Sequence, residues 1–247
     1  MSGDDTKRRP SINSTFYIEN VTFLVENELF KVPKFYFEKE SSVFRDMFQM
    51  PSFGSLEGDS DELPIVLESI EKADFTALLA AMFPEQGNNP IRMEIKEWAS
   101  VLKLSTLWEF GKLRQKAIEE LREMKSISAD KVVLGRDYRV RSLLKTGYEE
   151  LVAREEPLTS AEKTQLGDKA CIKVYEAREM TWRRGMPFGS SFNQSRNLTS
   201  VEKLVQEGFE AELRDAQGEE NEVEAADLAL PSPSPAKKSK SGRPRHW

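Results

Sequence analysis

Residues 29–48, LFKVPKFYFEKESSVFRDMF, put a proline in the middle of a run that otherwise reads as one apolar element. Pro33 separates Val32 from the aromatic group Phe35, Tyr36 and Phe37. A strand that hands over directly to a helix explains the arrangement. Proline lacks an N–H, and at the first helical position that N–H has no partner to lose. The aromatics behind it then anchor the helix in the core. Ser41 supplies an acceptor suited to capping a second short helix, whose Val43, Phe44, Met47 and Phe48 fall on one face.

Upstream, Val21, Phe23 and Val25 alternate with Thr22, Leu24 and Glu26, the period of a strand. Glu26-Asn27-Glu28 follows as a tight hairpin, with Asn27 suited to a left-handed conformation. Phe30 and Val32 continue in period two up to Pro33. Downstream, residues 51–62, PSFGSLEGDSDE, form a polar loop, and LPIVLESI sets Ile65 and Leu67 on one face of a further strand. Helices then dominate. Phe75, Leu78, Leu79 and Met82 are spaced for one that Pro84 stops, and Ile95, Trp98, Val101 and Leu102 mark the next. Ser105 is the expected cap of a helix through Phe110, Leu113, Ala117 and Leu121. Leu144, Tyr148 and Leu151 share a face, Thr159 and Glu162 match a capping box, and Val174, Tyr175 and Arg178 belong to a last helix.

Of the 247 residues, 38% are hydrophobic and 32% charged, the composition of a folded part with a polar surplus. No apolar run approaches the roughly 20 residues of a membrane span. MSGDDTKRRPS at the N-terminus has no apolar segment of a secretory signal, so the expected location is intracellular, in cytoplasm, nucleus or both. Cys171 is the only cysteine and His246 the only histidine. Zinc sites built on His and Cys, Ser-His-Asp triads and Cys-His dyads therefore lack members. Glu119-Glu120, Glu149-Glu150 and Glu155-Glu156 read as solvated helix faces rather than paired catalytic acids. No phosphate-binding G-x-x-x-x-G-K-S/T or G-x-G-x-x-G occurs. The expectation is a non-enzymatic protein with no catalytic residue, cofactor or metal.

The net charge of −6 hides a division. Residues 185–200, rich in Gly, Ser and Asn, read as linker, and between Glu202 and Asp227 ten acids face only Lys203 and Arg214. This segment reads as a solvated, largely disordered tail, with a helix around 200–214 as the alternative, on Val201, Leu204, Val205 and Phe209. The last seventeen residues, PSPSPAKKSKSGRPRHW, carry Lys237, Lys238, Lys240, Arg243 and Arg245 without an acid. KKSK fits a nuclear import signal. Gly242-Arg243-Pro244-Arg245 resembles the core of an AT-hook, which binds the DNA minor groove, with Ser241 where that motif has arginine. Ser11, Ser232 and Ser234 stand in sequence contexts suited to phosphorylation.

The order of elements resembles a BTB/POZ domain. FLVENELFKVPKFYFEKESSVFRDMF is similar to that family's hairpin and helix pair, and EWASVLKLSTLWEFGKLRQKAIEEL to its closing helical hairpin. The text between, together with ADKVVLGRDYRVRSLLKTGYEELVAREEPLTSAEKTQLG, is similar to BTB proteins of mushroom-forming fungi. The resemblance spans about residues 15–180. It implies an α+β chain: a disordered N-terminus at 1–14 and a BTB/POZ domain at 15–124, a small early β-sheet flanked by helical hairpins. A helical extension at 125–183 and a linker, acidic segment and basic disordered tail at 184–247 complete it. Asn20 and Pro33 stand where many members have aspartate and histidine, and the Tyr-Thr-Gly of cullin-binding members does not follow Ala81-Met82-Phe83-Pro84. The implied function is self-association and docking of other proteins. Phe16, Val21, Phe23, Val43, Phe44 and Met47 are the candidate dimer interface. A nuclear regulator held to DNA by the tail, or a cullin ubiquitin-ligase adaptor, is the alternative.

Overall fold

The computed structural model describes residues 13, 17–50, 57–84, 93–184 and 197–216. Strand β1 (Asn20–Val25) turns through Glu26 and Asn27 into the antiparallel β2 (Glu28–Pro33), with Val25 opposite Glu28. The left-handed residue of the turn is Glu26, at φ 53°, and not Asn27. The short β3 (Ile65–Val66) lies parallel to β1 on its other side, giving the order β2-β1-β3. Between them, Gly58 donates to Leu63 O and accepts from Thr22 N–H. Its φ is +84°, and a Cβ there would stand 2.9 Å from the side chains of Val21 and Ile65. Only glycine closes this loop onto the sheet.

Helix α1 (Lys34–Glu40) starts one residue after the proline. Pro33 is both the last residue of the edge strand and the N-cap, a place where no ladder needs its missing N–H. Helices α2 (Ser42–Gln49), α3 (Lys72–Met82), α4 (Ile95–Leu107) and α5 (Gly111–Glu123) follow and close around the sheet's inner face. Ser105, expected as the cap of α5, lies inside α4. Its hydroxyl bonds back to Leu102 O, and its carbonyl accepts from Phe110, the actual N-cap. The first core gathers Val21, Phe23, Phe37, Phe44, Phe75, Phe110 and Trp108.

Helices α6 (Ser128–Asp137), α7 (Arg141–Ala153), α8 (Ser160–Leu166), α9 (Asp168–Arg184) and α10 (Val201–Gly208) build a second core. Gly147 lets α7 press on α6, since a Cβ there would fall 2.7 Å from Ser128 O. Glu150 of α7, expected on a solvated face, accepts from Ser128 at 2.8 Å and from the fully buried Lys131 at 2.6 Å. The expected capping box of α8 is present, with Thr159 and Glu162 serving each other's backbone. Val140 and Leu143 join the first core while Leu144 and Tyr148 join the second, so α7 is shared and the two cores are continuous.

Residues 201–216, read as a solvated tail or alternatively as a helix around 200–214, take the alternative and are helical and docked. Val201, Leu204, Val205, Phe209, Leu213 and Ala216 are all buried in the second core, which explains the correction: the stripe finds a receiving groove. The Phe209 ring stacks on Tyr148 at 3.6 Å. Arg136 donates to Leu166 O, Tyr148 Oη and Glu212, and Tyr148 donates to Glu212. Burial, with the Glu212 carboxylate beside it, pushes the Tyr148 hydroxyl well above the ordinary tyrosine range. It stays a neutral donor. No helix among the described residues is long and apolar enough to cross a membrane.

Two measurements test this packing. Phe209→Ala removes a stacked, buried ring, and denaturant unfolding is expected to show a loss of about 3–5 kcal/mol in the helical unit. Glu162, held by the Arg154 guanidinium at 2.7 Å, has its carboxyl lowered to about 2. A folded value below the unfolded one stabilises above about pH 4.3 and loses that contribution as pH falls towards 2. Stability measured across that window should fall in the native chain and fall less in Glu162→Gln.

Candidate docking surface

Helix α1 has seven residues and one inward position. Phe37 fills it, with ring centroids 5.0 Å from Phe23, 4.9 Å from Phe44 and 5.7 Å from Phe110. Successive residues of a helix turn by about 100°, so Phe35 and Tyr36 cannot follow it in. They are 58% and 43% exposed. Of the three aromatics expected to anchor α1, one does.

The outward rings are held in place. Tyr36 packs edge-on against Phe83, just past α3, at 5.2 Å, and Phe35 against Tyr36 at 5.7 Å. The Lys39 ammonium lies 5.5 Å from the Phe35 ring centre, and Lys34, paired with Glu38 at 3.5 Å, lies 4.7 Å from the Phe48 ring. Such contacts are worth about 0.5–1 kcal/mol at exposed sites. Lys112 of α5 reaches Glu40 at 2.7 Å and ties the helix end to the helical layer.

The backbone of α1 is fixed at both ends. Lys34 N–H donates to Glu19 O at 3.0 Å, continuing the hairpin ladder. At the other end the buried Ser41 hydroxyl accepts from Phe44 N–H at 3.1 Å, the expected cap, and donates to Trp108 O. Arg45 of α2 donates to the carbonyls of Glu38 and Lys39, which α1 itself cannot satisfy. Beside Lys34 a groove of about 570 Å³ is lined by Tyr17, Ile18, Lys31, Phe48 and Asp59, with Tyr17 and Ile18 exposed.

The expected interface residues divide. Val21, Phe23 and Phe44 are buried in the chain's own core, Val21 and Phe23 on the sheet face that α1, α2 and α3 cover and Phe44 on the inward side of α2. Val43 is exposed and Met47 half-buried. Phe16, the phosphorylation candidates Ser11, Ser232 and Ser234, and the basic tip Lys237, Lys238, Lys240, Arg243 and Arg245 lie outside the described residues. Phe35, Tyr36 and Phe83 were absent from the expected interface. The signal for them was in the spacing: three consecutive aromatics cover about 200° of a helix that has one buried position.

Among the described residues no group of three or more His, Cys, Asp and Glu could hold a metal ion. Cys171 is buried, and burial raises its thiol above the ordinary value, away from the reactive thiolate. The arrangement sets exposed aromatic rings beside lysine ammonium groups on one face of α1.

Comparison with known families places residues 14–125 in the BTB/POZ domain. No curated protein matches the chain. The matched segment ends two residues past α5 and includes every residue of α1 and its supports, while α6 to α10 lie beyond it. Ser41→Ala is expected to cost about 1–2 kcal/mol, read by denaturant unfolding, because it removes the α2 cap and strips Trp108 O of a donor.

Proposed function

Starting from a BTB/POZ domain at residues 14–125, a protein–protein interaction module, we propose that this chain is a non-enzymatic docking protein that associates with itself and holds other proteins. The observation that carries the reading is the pair of outward rings Phe35 and Tyr36. Large aromatic side chains with few rotatable bonds lose little entropy on contact and dominate the energetics of protein interfaces. Here they are immobilised in advance by Phe83, Lys39 and the Ser41 cap, so a partner pays little to order them.

The helical extension fits the same reading as a support. Its core shares α7 with the domain, and two of its carboxylates, Glu150 and Glu212, are engaged in the internal pairs Lys131–Glu150 and Arg136–Glu212.

Two measurements test the proposal. Sedimentation equilibrium of the full chain at tens of micromolar should show a dimer, and a monomer counts against self-association. Affinity purification with mass spectrometry should recover proteins on the wild-type chain that Phe35→Ala/Tyr36→Ala no longer holds. Both substitutions lie on exposed side chains, so folding should change little. An unchanged partner set would remove the docking role from α1.

A further inference from the structure

Among the described residues, one row of the hairpin's backbone groups is unclaimed. In an antiparallel pair, residues alternate between those that exchange hydrogen bonds and those that face away. Lys34 N–H bonds to Glu19 O, which fixes the bonded pairs as Glu19 with Lys34, Val21 with Val32, Phe23 with Phe30 and Val25 with Glu28. The opposite edge of β1 confirms the phase: Thr22 N–H donates to Gly58 O, and Leu24 O accepts from Leu67 N–H. Leu29 and Lys31 therefore turn their N–H and C=O groups outward from β2, the edge strand. Pro33, the next in that phase, has no N–H to offer.

We infer that two copies of the chain join along this edge, β2 against β2 in antiparallel register about a two-fold axis at Phe30. This rests on the self-association proposed above and names its surface. Only that register sets Leu29 opposite Lys31 of the other copy twice over, satisfying every outward donor and acceptor of the two residues. Centring on Lys31 would spend Leu29 on the proline, and centring on Leu29 would spend Lys31 on the turn residue Asn27. At the axis the half-buried Phe30 ring meets its own copy in a close, non-bonded pair. On the other sheet face Leu29, 46% exposed, lies against the aliphatic stem of Lys31.

Edge strands commonly avoid association by carrying charge. Here the charges are already spent inside each copy, Lys31 on Asp61 at 3.1 Å and Glu28 on Lys72 at 3.0 Å. Two such edges meet without net repulsion. Leu29 also continues an aliphatic row across the sheet, next to Leu24, which neighbours Val66 of β3. Joining the edges forms a six-stranded sheet in which each copy's aliphatic row ends against the stem of the other copy's Lys31.

Register-specific cross-linking tests the inference. In a full-length Cys171→Ser background, Leu29→Cys and Lys31→Cys chains with different tags are co-expressed and mildly oxidised. Opposed bonded residues stand about 5.5 Å apart at Cα, within disulfide reach, whereas two copies of residue 29 stand about 8–9 Å apart. A disulfide between the two variants, and none in either expressed alone, is the expected result. Lys31→Pro, which deletes an outward N–H, should weaken the wild-type dimer about tenfold or more by sedimentation. A dimer that resists this substitution, or that cross-links equally in the single variants or not at all, overturns the edge pairing while leaving self-association intact. A monomer overturns both.

Discussion

The Phe44 ring lies within 6.0 Å of five others, those of Phe23, Phe37, Phe48, Trp108 and Phe110. Those rings come from β1, α1, α2 and the turn between α4 and α5, so one contact set fixes how the sheet, the helix pair and the closing hairpin meet. Edge-to-face geometry adds to simple burial, by about 0.5–1.5 kcal/mol per pair. The Ser41 hydroxyl reinforces the same junction from the polar side: it starts α2 and holds Trp108 O, so the residue that begins the helix of Phe44 also fastens the turn that Phe44 packs against.

That rigidity gives the exposed rings their meaning. A seven-residue helix has almost no stability of its own. α1 persists because Phe37 is buried, Lys34 continues the strand ladder and Arg45 closes its far end. With the backbone so constrained, Phe35 and Tyr36 are presented in one orientation. Apolar surface kept in water at a fixed geometry costs stability, and the proposed docking role would account for that cost.

The helical extension follows different rules. Its core is aliphatic apart from the Tyr148–Phe209 stack, and it is tied together by charge in and beside the core: the buried Lys131 against Glu150, and the half-buried Arg136 among Leu166 O, Tyr148 and Glu212. Such groups are costly to bury and are satisfied only in one arrangement, so they favour a unique packing more than a strong one. Glu212 belongs to a segment whose composition looks solvated, and its partners lie 64 and 76 residues away in sequence. No local pattern reports that pairing.

Local physics was sufficient for the elements themselves. Period two marked β1 and β2, Pro33 and Ser41 set the boundaries of α1 and α2, and the Thr159–Glu162 box marked α8, because each depends on neighbours within four residues. Where local options were degenerate the sequence did not decide. Ser105 is a plausible cap by type yet lies within α4, since the turn at Trp108 is set by what it packs on. The apolar stripe of 201–216 could equally have been solvated until the groove of α6 to α9 received it. Which aromatics face water was decided only by the tertiary structure: the sheet offers α1 a single inward position, and hydrophobicity alone cannot tell Phe37 from Phe35.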